Sequence, residues 1–439
     1  VERSRVRFVV LSFEGPDRYS LAGGLGSRVS GLTRSLARLG FETHLFFIGD
    51  PAGPGHERKL RGHLHLHRWC QWISRYHPDG VYDGEEFKRL DWNRSLPPWL
   101  MENVLEPAIE AGDVVVILAE EWHTAETMIG LREMVSGLGW EERVRLFWNA
   151  NNVFGFHRID WGRLRAAATI TTVSRYMKHV VGAYGVDARV VPNGISESWL
   201  RGLPAGSSAA FPWELRERPV LVKVARWDPD KRWDTAVEAV DALRREGQHP
   251  LFLARGGPDS GTAAVVDRAE QAGLRVARAH WKGDGIADLA DAIAPHLESD
   301  MIVLDGFLTR PQCKALYRGA DAVLANSGLE PFGLVGLETM AAGGVAFVGC
   351  TGEDYVTHGH DAISIQSHEP REIAHYVRYL RSHGEEASRI RRAGRHSARR
   401  YVWMAVPLKT FFLLLEEEGV PVREKLIAKA AAASAGTPP

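Results

Sequence analysis

The stretch Asn326-Ser327-Gly328-Leu329-Glu330-Pro331-Phe332-Gly333-Leu334-Val335-Gly336-Leu337-Glu338-Thr339-Met340 decides how the chain reads. The apolar run Asp321–Ala325 before it reads as a buried parallel strand, and Pro331 with Gly333 turns the chain into a helix carrying Leu334, Leu337 and Ala341 on one face. Backbone N–H groups of Phe332, Gly333 and Leu334 at that helix start would point at an anion, which is how phosphates are held without side chains. Two carboxylates qualify this. Glu330 beside a phosphate makes sense as an acceptor from hydroxyls of the same ligand. Glu338, about two turns on in an apolar run, needs a donor because an unpaired buried carboxylate costs several kcal/mol; a ribose diol would supply one. The plain alternative is one paired core glutamate and one surface glutamate.

At 439 residues the chain suits two domains of about 200 residues each. A formal net charge of −1 argues against sequence-independent nucleic-acid binding, and no nucleic-acid partner is expected. Three cysteines, Cys70, Cys313 and Cys350, form no CxxC pair and point to a reducing cytoplasm. Val6–Phe13 is too short for a signal-peptide core and reads as a first strand. No run reaches eighteen apolar residues, so no membrane span is expected. Phe411–Leu415, the one patch suited to peripheral membrane association, fits a helix docked on the body. The tail 430–439, built of Ala, Ser, Gly, Thr and Pro, is expected to fray.

Strand–loop–helix units recur along the chain. Gly23-Gly24-Leu25-Gly26 follows the first strand and opens a helix with Val29, Leu32, Leu36 and Leu39 at helical spacing, closed by Gly40. Glycines there permit close approach to a phosphate or sugar, a ligand-free turn being the alternative. Asp50 after the next strand, Glu42–Ile48, keeps an NAD-dependent dehydrogenase open, although Val29 stands where a dinucleotide fingerprint needs glycine. His63, His65 and His67 alternate along one strand. Same-face neighbours about 7 Å apart do not close a tetrahedral metal site, so a leucine face inward and a polar face outward is expected. The strand Asp113–Leu118 delivers Glu121, Trp122 and His123 to its C-terminal end, where ligands gather in open parallel sheets. Leu146–Ala150 ends at Asn151 and Asn152. A linker is expected at Pro204–Pro212, after which Pro219–Arg226 restarts the rhythm and ends in a loop with Arg226 and Lys231. Fixed cations stabilise charge that grows on a departing diphosphate; an ion-pair cluster with Asp228 and Asp230 is the alternative. Nine of the fourteen tryptophans precede residue 200, and their flat faces suit carbohydrate.

Glu330-Pro331-Phe332-Gly333 with Glu338 eight residues after Glu330, Val191-Pro192-Asn193-Gly194-Ile195, and Arg226 five before Lys231 resemble the signatures of retaining glycosyltransferases of family four (glycosyl transferases group 1). Gly23–Gly26, Glu120–Thr124 and Gly349–Asp354 are similar to loops of glycogen and starch synthases, with carboxylates replacing the first His and the Asp of the His-Asp-Trp-His-Thr motif. The resemblance runs over roughly residues 5 to 405. It implies an α/β GT-B fold of two Rossmann-like domains whose parallel sheets face across a cleft. The acceptor-side domain would be 1–200, the nucleotide-sugar domain 201–402, and a last helix, about 403–420, would pack back on the first. The implied reaction moves a hexose, expected to be glucose, from a nucleotide diphosphate sugar (UDP-glucose being the natural candidate) to a hydroxyl of a carbohydrate or small polyol. Configuration is retained through front-face attack, without a metal or other cofactor.

By that likeness His123, Arg226, Lys231 and Glu330 carry the chemistry. Gly23, Gly24, Leu25, Gly26, Phe332, Gly333, Leu334 and Glu338 bind the donor, and Glu121, Trp122, Asn151 and Asn152 the acceptor. A GT-B sugar-nucleotide epimerase, a dehydrogenase and a non-catalytic nucleotide-sugar binder stay open as alternatives.

Overall fold

The computed structural model describes residues 6–203, 217–257 and 261–422; the expected linker at 204–212 and the tail at 430–439 lie outside them. Contacts divide the chain into two domains, Val1–Ser196 with Tyr401–Pro439, and Glu197–Arg400. Residues 197–200, placed in the first domain by the sequence, group with the second, and 401–402, placed in the second, group with the first.

The first domain holds an eight-stranded sheet, its strands being β1 (Val6–Leu11), β2 (Glu42–Ile48), β3 (His56–Lys59), β4 (Leu64–Trp69), β5 (Val114–Glu120), β6 (Val144–Ala150), β7 (Thr169–Thr172) and β8 (Arg189–Val190). Their order is β3-β4-β2-β1-β5-β6-β7-β8. All pairs are parallel except edge strand β3, which runs antiparallel to β4. The central β1 and β5 carry the apolar runs Phe8–Leu11 and Val114–Ala119 because helices cover both faces of such a sheet. On β4 the leucines face inward as expected: Leu64 and Leu66 pack with Leu45, Phe47, Leu25 and Val29 under the helix Gly24–Arg38. Its other face is less polar than expected, since His67 is buried. Gly40, with φ +92°, ends the helix in the left-handed region that favours glycine. The helix Val406–Glu417 returns to this domain, where Leu408, Phe411, Phe412 and Leu415 pack on Val6, Phe8, Val116 and Phe147. Of the Phe411–Leu415 patch, Phe411, Phe412, Leu414 and Leu415 are therefore core and Leu413 faces outward. No helix among the described residues is long and apolar enough to cross a membrane.

The second domain has seven parallel strands, β9 (Val220–Val224), β10 (Leu251–Arg255), β11 (Val276–His280), β12 (Met301–Asp305), β13 (Ala322–Ala325), β14 (Ala346–Val348) and β15 (Ile363–Ser364), in the order β11-β12-β10-β9-β13-β14-β15. Each domain thus reverses its strand order beside its first strand, the point at which such sheets bind ligands beyond the strands' C-terminal ends.

Candidate active site

In the second domain, β9 runs into a loop whose short 3₁₀ turn, Pro229–Lys231, is capped by Asp228 Oδ1 accepting from the Asp230 amide at 3.0 Å. Asp230 holds the neighbouring loop: its backbone oxygen accepts from Gly328 N at 2.8 Å and its Oδ1 from Leu329 N at 3.3 Å. In this Asp-Pro-Asp, Asp228 thus serves its own loop's backbone and Asp230 that of the neighbouring loop. The stitching sets Lys231 Nζ 2.9 Å from Glu330 Oε2, with the two side chains 17% and 19% exposed. Arg226, 49% exposed, reaches Asp228 at 3.7 Å. Beneath them the buried Lys223 donates to Leu324 O (3.1 Å) and Asn326 Oδ1 (2.6 Å). Burial, reinforced by the nearby Lys231 charge, pushes its ammonium down to about 7.

The helix Leu334–Ala342 starts where the sequence placed it, with Gly333 at φ +78° as its N-cap. Leu337 and Ala341 are buried, whereas Leu334 is only partly so, because the buried face is carried by Leu337, Met340 and Ala341. Phe332 packs on Tyr355, whose hydroxyl donates to Gly333 O. The Thr351 hydroxyl both accepts from Glu330 N (2.8 Å) and donates to Glu330 O (2.9 Å), fixing the glutamate's backbone. A Cβ on Gly352 would stand 2.1 Å from Pro331 O and 2.3 Å from Glu330 O, so only glycine lets these loops meet. Burial, aided by the Glu330 charge, pushes the Glu353 carboxyl up to about 8, and its buried Oε1 has no partner. Glu338 has a donor within the chain: the Trp199 indole hydrogen-bonds it, Arg310 lies near, and burial outweighs both to raise the carboxyl to about 7. Arg310 in turn lies 5.7 Å over the Trp199 ring.

In the first domain the glycine loop differs from expectation. Its amides do not face outward: Gly23 N and Gly26 N both donate to Glu14 Oε2 at 2.9 Å, and Tyr82 donates to Glu14 Oε1 at 2.8 Å. Leu25 is core. A buried carboxylate occupies the anion position at this helix start, which physically satisfies the helix's orphan donors. Burial raises Glu14's pKa against those hydrogen bonds. His123 is buried, stacked on Phe13 at 4.1 Å, with Nε2 2.7 Å from Glu85 Oε1 and Nδ1 unpartnered. Burial pushes its imidazole down, against the pull of Glu85.

Glu121 is buried at φ +68°, accepts from Asn151 N at 3.1 Å through Oε1, and leaves Oε2 without a partner. Burial and the adjacent Glu120 raise it well above the carboxylate range. Trp122 is covered by Arg158, 4.3 Å from its ring centroid. Asn151 accepts from Asn193 Nδ2 (3.0 Å) and Asn152 caps Phe154 N (2.8 Å), so both expected acceptor contacts are engaged in local structure. Of the other tryptophans, Trp92 and Trp148 are wholly buried and Trp72 is exposed.

Sequence reasoning missed Glu14, Tyr82, Glu85, Lys223, Trp199 and Arg310. Glu14 and Lys223 left signals, one just past a strand's C-terminal end and the other a charge inside a valine-rich strand. Trp199 and Arg310 left none, because only the fold brings them to Glu338.

Two parallel-sheet α/β domains with this paired-loop site define the GT-B class of fold. Residues 210–397, most of the second domain, match the family described as Glycosyl transferases group 1. A D-inositol 3-phosphate glycosyltransferase of Thermobispora bispora is 24% identical over 408 residues, 88% of this chain and 87% of that protein. The structure is similar to sucrose-phosphate synthase from Thermosynechococcus elongatus (TM-score 0.66, 18% identity, 94% of this chain and 99% of that one). It is also similar to the catalytic domain of starch synthase IV from Arabidopsis thaliana bound to ADP and acarbose (TM-score 0.67, 13% identity, 95% and 100%).

Proposed function

We propose that the protein is a retaining, family-four glycosyltransferase that moves a hexose from a nucleotide diphosphate sugar to a hydroxyl, without a metal at the donor site. The observation that carries this is the Lys231–Glu330 pair, held in front of the helix Leu334–Ala342 by loops that Asp230, Thr351 and Gly352 lock together. Lys231 and Arg226 would neutralise the departing diphosphate, and Glu330 would hold sugar hydroxyls while the anomeric carbon becomes cationic. The phosphate oxygen would take the acceptor's proton on the same face. Glu338 would exchange its Trp199 hydrogen bond for the ribose diol.

For the acceptor, Glu14, Glu85 and Glu121 gather with Tyr82 around His123, a set of oxygens and a ring nitrogen suited to hydrogen-bonding hydroxyls, which supports a carbohydrate or small polyol. Relatives carry names such as D-inositol 3-phosphate glycosyltransferase.

The experiment is nucleotide release from a panel of nucleotide sugars, first without acceptor, then with free and phosphorylated sugars. Slow release without acceptor, stimulated by an added sugar, is expected. Isomerised donor would indicate an epimerase, and tight nicotinamide binding without release a dehydrogenase. Loss of turnover in chelator, restored by magnesium, would overturn metal independence.

A further inference from the structure

The structure brings together histidines that the sequence kept apart. Pairing of β2 with β4 sets His44 opposite His65 and Phe46 opposite His67, so these four share one face of the sheet. Antiparallel β3 adds His56 opposite His67. His44 Nδ1 lies 3.0 Å from His67 Nε2, and one ring nitrogen from each of His44, His65 and His67 falls within 4.8 Å of the others. Nitrogens around a tetrahedral ion with bonds of 2.0–2.1 Å stand about 3.3 Å apart, so small rotations close the set. The objection that one strand spaces its histidines too widely does not apply, because the third ligand comes from the neighbouring strand. His63 lies exposed just before β4, outside the cluster.

We propose that His44, His65 and His67 bind a divalent transition-metal ion of the zinc type, with His56 placed to take the fourth position. The surroundings are those of a built site. Glu42 Oε1 lies 3.3 Å from His44 Nε2, the nitrogen facing away from His67, and Arg7 holds that carboxylate at 3.0 Å. A carboxylate on the far nitrogen fixes the tautomer that leaves Nδ1 free to coordinate. Phe46 stacks on His67 at 4.1 Å and Trp99 meets it edge-on at 5.7 Å, closing the buried side, while His56 and His65 keep a path to solvent. The imidazole set selects zinc, nickel, cobalt or copper over magnesium or calcium. The ion would clip β2, β3 and β4 together at the edge of the first domain's sheet.

The test is titration of the full chain, without a histidine tag and stripped by chelator, with Zn²⁺ in a calorimeter and Co²⁺ by visible absorption. One equivalent of zinc, the intense absorption of tetrahedral cobalt, and a zinc-dependent rise in Tm are expected. His65→Gln, at a partly exposed position, should weaken binding by about 10²-fold or more, Glu42→Gln by about 10-fold, and His63→Ala not at all. Circular dichroism and a metal-free Tm near wild type in each variant would show that they remain folded. Absence of stoichiometric zinc, or equal affinity in wild type and His65→Gln, would overturn the site.

Discussion

Replacing Lys231 by alanine separates a cation that works in the transition state from one that merely pairs. Its ammonium lies 2.9 Å from Glu330 Oε2, each side chain under a fifth exposed. Coulomb's law at an effective dielectric of about 20 allows about 6 kcal/mol for such a pair. Solvent at both ends places the stability loss between the about 1 kcal/mol of an exposed pair and the about 3–5 of a broken buried one. The catalytic loss should be larger and of another kind. If the departing diphosphate loses one fixed cation, the maximal rate should fall about 10²–10³-fold, or about 2.7–4 kcal/mol. Nucleotide release at saturating donor measures it, with Tm and diphosphate affinity recorded beside it. Lys231→Arg, which keeps the charge on a longer arm, should recover part of the rate. A folded alanine variant turning over within about threefold of wild type, with only KM raised, would show uniform binding and refute the role.

The two glutamates should separate in the same assay: Glu338→Ala should weaken bare nucleoside diphosphate, which carries the ribose, while Glu330→Gln should lower the maximal rate and leave that affinity near wild type; equal diphosphate binding by both variants would remove Glu338 from the ribose. Glu338 also sets a pH dependence, because its carboxyl is raised from 4.5 to about 7. Between those values the folded state holds the extra proton, so stability contributed by this group falls as pH rises through the window and levels off above 7. Glu338→Gln should therefore flatten the decline of Tm between pH 5 and 8, and an unchanged profile would discount it. Gly352→Ala, whose Cβ would strike Pro331 O and Glu330 O, should cost about 1–3 kcal/mol and displace Glu330. Turnover should fall more than diphosphate affinity; full activity would mean that this contact does not position the glutamate.

The parallel interiors were legible because strands such as Val114–Glu120 and Met301–Asp305 are apolar on both faces and have few alternatives. Edge strands were not. His56–Lys59 is His-Glu-Arg-Lys, Val276–His280 is wholly buried at one position of five, and Ile363–Ser364 is two residues long, so each exists through its neighbour. The strand-end rule singled out Lys231, Glu330 and His123 as candidates, since it depends on local order alone. It did not say what each would touch. Glu14 turning back onto Gly23 and Gly26, or Trp199 reaching Glu338, depends on loops closing over distances that no local pattern encodes.

The return of residues 401–422 to the first domain bears on synthesis at the ribosome. Ile195 N donates to Tyr401 O at 2.8 Å and Trp403 N to Ile195 O at 3.1 Å, while Trp403 fills the space beside Gly31 and Gly194 where a Cβ would clash. The first domain to emerge is therefore the last to be completed. Its Phe8, Val116 and Phe147 face water until Phe411 and Phe412 arrive about two hundred residues later, a wait of about 10–40 s at ordinary elongation rates. A chain cut after Ser196 should be a chaperone client and aggregate, whereas one that joins 401–422 to that end through a short linker should fold without the second domain.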